Sequence, residues 1–189
     1  GNLQVAGNLK NPSLAGVRAN GNVQFSQGIP GFEKPIDAAI GWSGNKLKIA
    51  RATAPGLSIS GDIFANASTG IPQITQLDLN IQASNFDLEQ LPVDISNAVN
   101  VAGKVDFNGK ITGKLPQPNV VGQVALKDFV VNDIAFESVL SGNVNSQQES
   151  GLQLNVAGKQ DRIAVNLNKN NRPESFVVKR GEALASGQS

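Results

Sequence analysis

The sequence has no cysteine, histidine, methionine or tyrosine, and aromatic residues make up only 5% of its 189 positions. Without cysteine there are no disulfides, thiolate zinc sites or thiol nucleophiles. Without histidine, the usual general base and metal ligand is missing, so catalysis or metal binding would have to rest on Ser, Thr, Asp, Glu or Lys. No apolar run approaches the roughly 18 to 20 residues that cross a bilayer as a helix, and no charged-then-apolar leader opens the chain. With no initiator methionine either, the chain reads as an internal piece of a longer protein. Sixteen basic residues against 15 acidic ones give a formal charge of +1. Such a balance gathers neither nucleic acid nor an anionic surface, and nucleic acid is not an expected partner.

What is present is strand-and-turn material. Asn occurs 21 times and Gly 20 times, alongside abundant Val and Ile, a composition suited to pleated surfaces and tight turns. Alternation at period two is clearest where Val99, Val101, Gly103, Val105, Phe107, Gly109, Ile111, Gly113 and Leu115 share one parity. Asn100, Ala102, Lys104, Asp106, Asn108, Lys110, Thr112 and Lys114 hold the other, so this stretch has one dry face and one wet face. Asn108-Gly109 would ordinarily signal a two-residue hairpin, but that turn pairs Phe107 with Lys110 and breaks the parity. Two alternatives keep the faces matched: a strand running through and bending at its glycines, or a three-residue loop with a bulge.

The same alternation recurs at Leu57, Ile59, Gly61 and Ile63, at Leu77, Leu79, Ile81 and Ala83, and at Val120, Gly122, Val124 and Leu126. It returns at Leu152, Leu154 and Val156 and at Ile163, Val165 and Leu167. Turn clusters at 43–45, 68–70, 145–148, 158–161 and 168–173 separate these runs. On the order of a dozen short strands follow, and open sheets above about 10 strands tend to curl. The predicted fold is therefore all-β: an elongated, curled, mostly antiparallel sheet with an apolar groove, a closed β-sandwich being the alternative. A loop or short helix over 85–98, with Leu88, Leu91 and Ile95 near helical spacing and Pro92 limiting its length, joins repeat-like units at about 1–84 and 99–189 and could plug or cap the sheet.

Gly7 to Gly16 and Gly113 to Gly122 share the pattern G-x-L-x-x-P-x-(L/V)-x-G, and Gly21 to Phe25 echoes Gly103 to Phe107. The two offsets differ, so these are recurring strand-turn devices, suited to stacking into an elongated body. No G-x-S-x-G, phosphate loop or G-x-G-x-x-G occurs, and the carboxylates fall at turns and on wet strand positions, where they read as solvated. The expectation is no enzyme, no metal and no cofactor. Asn66-Ala67-Ser68 fits a glycosylation triplet that chance supplies in most chains of this size, and Trp42, closing the Ile36, Ala38, Ile40 alternation, reads as core rather than as a ligand contact. The functional candidate is a surface, the summed apolar parity of many strands.

Three stretches, Asn85-Phe86-Asp87-Leu88-Glu89-Gln90-Leu91-Pro92, Gly103 to Leu115 and Pro118 to Leu126, resemble the TamB family of the AsmA-like envelope proteins. Gly158 to Leu167 and Arg172 to Phe176 are similar to the cyanobacterial and plastid form. The likeness covers roughly residues 75 to 185, carried by degenerate strand patterns. It implies a long periplasmic protein anchored in the inner membrane, or in the plastid envelope intermembrane space in plant relatives. It also implies a taco-shaped sheet that conducts phospholipid or other lipid, supports outer-membrane biogenesis, and meets an outer-membrane barrel-assembly protein through another part of the parent chain.

Such a gutter would spare acyl chains the cost of about 0.8 kcal/mol for each CH₂ exposed to water. The expected wall residues are Leu77, Leu79, Ile81, Val101, Val105, Phe107, Ile111, Leu115, Ile163, Val165 and Leu167, each equally able to pack a core. A structural or adhesive β-sandwich or solenoid module explains the strand pattern as well. An outer-membrane barrel lacks its aromatic girdles. Unpaired outer strands predict edge-to-edge self-association of the chain.

Overall fold

Period-two patterning and glycine-rich turns leave the chain only one way to satisfy its backbone, strand against strand. In a computed structural model, the residues described are 1–7, 16–29, 32–66, 73–90, 100–170 and 172–188, without the side chain of Leu3. The strands are β1 (Leu3–Ala6), β2 (Arg18–Phe25), β3 (Ile36–Ser43), β4 (Lys46–Ala54), β5 (Leu57–Asn66), β6 (Gln73–Asp87) and β7 (Val101–Lys114). There follow β8 (Asn119–Val131), β9 (Ile134–Ala135), β10 (Val139–Gln147), β11 (Gly151–Ala157), β12 (Arg162–Leu167), β13 (Pro173–Arg180) and β14 (Ala183–Gln188). All 14 belong to one antiparallel sheet in chain order from β1 to β14, with β9 off the path as a short partner of β8.

The chain divides into two compact units, Gly1–Ile81 with Lys110–Pro118, and Gln82–Gly109 with Asn119–Ser189. In the first unit the register stacks apolar residues into rows. Ala19, Trp42, Leu47 and Ile63 are successive cross-strand partners, as are Gly21, Ile40, Ile49 and Gly61. A bulge in β4 between Ile49 and Ala52 adds one residue to that strand, so Ala52 and Ala54 return to the apolar face opposite Ile59 and Leu57. Trp42 is half-buried within its row. Gly61 has φ +130 and lies so close to Asp78 and Leu79 that a Cβ there would strike the carbonyl oxygen of Asp78 at 2.1 Å.

The second unit repeats the scheme. Val124, Gly142, Val156, Ile163, Val178 and Ala185 form one cross-strand row, and Gly122, Val144, Leu154, Val165, Phe176 and Gly187 the next. Its buried core is Leu126, Leu140, Val156 and Ile163, with Leu88, Val105, Phe129, Phe136 and others packed against it. Leu140 and Val156 have no exposed surface at all.

The closed sandwich is corrected by these observations. Among the described residues every strand lies in a single sheet whose ends, β1 and β14, are unpaired with each other. A sandwich interior would bury the Val, Leu and Ile rows completely. Among the described residues only Ala65, Leu79, Phe86, Leu126, Leu140, Val156 and Ile163 are buried apolar residues, and the strong curl expected of so many strands is corrected with the sandwich.

β7 runs through Asn108-Gly109 without a hairpin, bending at Gly103 (φ +123) and Gly113 (φ +96). The through-strand reading therefore holds, because parity on a half-buried face outweighs a local turn preference. A true two-residue hairpin forms instead at Asn132-Asp133, whose φ values of 47 and 65 join β8 to β9. Within 85–98, Leu88–Gln90 form a short 3₁₀ turn. Residues 91–99, the Ser68-Thr69-Gly70 cluster and most of the first repeat copy lie outside the described residues.

Candidate functional site

The structure distributes the eleven expected wall residues over three strands and one turn. Leu77, Leu79 and Ile81 lie on β6, Leu79 buried at 8% exposure and the others half-buried. Val101, Val105, Phe107 and Ile111 lie on β7, all half-buried. Leu115 falls just past β7 in the following turn and is 40% exposed, with its N–H donating to the Thr75 carbonyl at 3.2 Å. Ile163, Val165 and Leu167 alternate along β12 and pair directly with Val156, Leu154 and Leu152. Val105, Ile163 and Val165 come together in the core cluster of the second unit.

Glycine shapes this face at two places. A Cβ on Gly122 would meet the Phe107 ring at 2.5 Å, and one on Gly187 would meet the Phe176 ring at 2.5 Å. Each aromatic ring therefore reaches over a glycine on the neighbouring strand and covers bare backbone there.

The concavities described are lined mostly by residues of the wet parity. In the second unit a shallow hollow of about 580 Å³ is lined by Asp106, Asn108, Gln123, Ala125, Ser141 and Asn143 of that parity, and also by Ala83, Phe107 and Val124 of the apolar parity. In the first unit a hollow of about 590 Å³ runs over Ala39, Gly41 and Ser43, flanked by Asn20 and Asn22 on one side and Lys46 and Lys48 on the other.

Two phase shifts escaped the sequence reading. On β6 the inward set is odd through Ala83 and becomes even at Phe86, which is 6% exposed. The shift sits at Asn85, whose φ is 49. On β8 Leu126 is inward, then Asp128 with φ 48 resets the alternation so that Phe129 also packs on the core. An Asn or Asp in the left-handed region tolerates such a bulge better than other non-glycine residues.

A polar cluster binds the two bulges across β7. The Asn85 N–H donates to Asp106 Oδ1 at 2.7 Å, and Lys127 Nζ lies 2.6 Å from Asp106 Oδ2 and donates to Asn85 Oδ1 at 2.8 Å. The Asn85 N–H, followed by the Lys127 ammonium, holds the Asp106 carboxyl below the usual carboxylate range.

The carboxylates expected to be solvated include one that is not. Asp161 is 6% exposed and accepts backbone N–H groups from Glu137 and Gly181, each at 2.8 Å. Glu137 in turn accepts from the N–H groups of Gln160 and Asp161. The arrangement ties three connections together. No group of three or more carboxylates is placed to hold a metal among the described residues, and no helix there is long and apolar enough to cross a membrane.

The most regular features among the described residues are two apolar sheet faces, built in register and half-buried. Compared with family models, with curated proteins and with solved structures, the chain matches none.

Proposed function

We propose that the chain is a lipid-shielding segment of an envelope protein, its apolar sheet face carrying acyl chains between inner and outer membranes through the periplasm. The observation that carries this reading is the register of the second unit. Apolar residues are aligned over five consecutive strands, β8 and β10 to β13, yet Leu152, Leu154, Val165 and Leu167 remain half-exposed. A surface of aliphatic side chains without polar anchors gains about 25 cal/mol for each Å² of apolar area it removes from water, with no directional bond to hold one lipid in one place. An outer-membrane barrel-assembly partner met elsewhere in the parent chain and a role in outer-membrane biogenesis belong to the same proposal.

A second reading has its own observation. Leu140 and Val156 are fully buried beneath neighbouring side chains, as in a structural or adhesive module that needs no ligand.

Organic extraction of the protein purified without detergent, followed by mass spectrometry, separates the two. The lipid reading expects stoichiometric phospholipid in the unaltered chain and its loss in folded Leu167→Asp or Ile111→Asp variants. Absence of lipid from the unaltered chain, or identical lipid content in folded variants, favours the structural module.

A further inference from the structure

Resting on the lipid reading, we infer that the apolar face of the second unit carries a built-in plug, and that the Asp106 carboxylate is its latch. Leu88, Phe129 and Phe136 pack against the core cluster in which Leu140 and Val156 lie fully buried. Further along the same strands Leu152 and Leu167 are half-exposed. The face is thus fully covered over one stretch and only partly covered over the next, and an acyl chain lying on the partly covered rows meets the covering residues at the cluster.

The covering residues occupy their positions only because two strands change phase. Phe86 and Leu88 follow the left-handed Asn85, and Phe129 follows the left-handed Asp128. Non-glycine residues in that region carry strain of order 1–3 kcal/mol, so something must hold them there. Asp106 does so from the strand between. It receives the Asn85 N–H at 2.7 Å and the Lys127 ammonium at 2.6 Å, while Lys127 also donates to the Asn85 side chain at 2.8 Å. On the same strand, a Cβ at Gly103 would lie 2.8 Å from the carbonyl oxygens of both Lys127 and Asp128, so β7 fits the bulged β8 closely. Phe136 completes the cover, its N–H donating to the Phe129 carbonyl at 3.0 Å and its ring centroid 5.7 Å from that of Phe129.

With the latch released, β6 and β8 regain regular alternation, Phe129 and the Phe86–Leu88 segment leave the face, and the apolar surface extends over Leu140 and Val156. The ligand class is a single acyl chain. Asp106 acts as a positioning residue, because it touches the bulges and not the apolar face.

The test is hydrogen exchange by mass spectrometry on the full chain, combined with titration by cis-parinaric acid, a fluorescent fatty acid. Asp106→Ala is expected to speed exchange at least tenfold in segments 84–90 and 127–137, to leave β12 and β13 unchanged, and to raise the number of fatty acids bound. Asp106→Asn, which keeps an acceptor for the Asn85 N–H, is expected to fall between Asp106→Ala and the unaltered chain, and Lys127→Met serves if Asp106→Ala does not fold. Unchanged exchange in these segments, or a uniform rise over the whole second unit, overturns the latch. Local opening with no fatty acid bound by any variant supports the latch and overturns the lipid reading beneath it.

Discussion

Glu137 and Asp161 exchange hydrogen bonds: each carboxylate accepts the other's backbone N–H, at 2.8 Å to Asp161 and 3.2 Å to Glu137. Asp161 also takes the N–H of Gly181, so one buried side chain fixes the turn between β13 and β14 as well as the approach to β10. Asp161→Ala leaves two N–H groups without their acceptor and should cost about 3 kcal/mol. Glu137→Ala frees the exposed N–H of Gln160 to water but leaves the part-buried N–H of Asp161 without its acceptor, and should cost about 1 to 2 kcal/mol. Urea denaturation checks both, as a lowered midpoint with an unchanged slope.

The lowered pKa of Asp106 has a definite sign in the pH dependence of stability. A carboxylate titrating lower in the folded state than its ordinary value of 3.8 adds stability that is complete above that value. That stability is lost as pH falls from the ordinary value through the lowered folded value. Asp106→Asn should therefore flatten this component below about pH 4, while destabilising the protein at pH 7. Equal pH profiles for the two proteins would contradict the assignment.

The rings that lie over glycine predict steric intolerance on an exposed edge. Gly187 is on the outermost strand, where side chains are ordinarily interchangeable, yet a Cβ there would stand 2.5 Å from the Phe176 ring. Gly187→Val should cost about 1 to 2 kcal/mol by lifting that ring. Combined with Phe176→Ala, most of the penalty should vanish, which a double-mutant cycle in thermal unfolding would register.

Burial along the face sets a gradient of truncation costs. Leu140→Ala opens a cavity at a fully buried position and should cost about 2 to 5 kcal/mol. Leu115→Ala, in a turn and 40% exposed, should change stability by about 0.5 kcal/mol or less. Equal costs at the two sites would mean that the face is uniformly covered.

Parity was the legible part of this fold. It placed Ile163, Val165 and Leu167 on one face of β12, and it argued against a two-residue hairpin at Asn108-Gly109, where β7 runs through. The bulges were harder to read because a residue in the left-handed region occupies the same one letter as any other. Their trace is nonetheless in the sequence: Leu77, Leu79, Ile81 and Ala83 are odd, while Phe86 and Leu88 are even. Leu47 and Ile49 likewise give way to Ala52 and Ala54 around the β4 bulge. The burial of Asp161 had no local signal, since its partners Glu137 and Gly181 are more than 19 residues away in either direction.

The bulges at Asn85 and Asp128 also reverse the ordinary arithmetic of insertions and deletions. Removing one residue from a regular strand sends everything beyond it to the wrong side of the sheet. Removing Asn85 or Asp128 would instead repair an alternation that each of them breaks, and the segment carrying Leu88 or Phe129 would turn over as a unit. A single lost codon at either place is thus a route from a covered apolar face to an open one, with no change in any of the residues that make up that face.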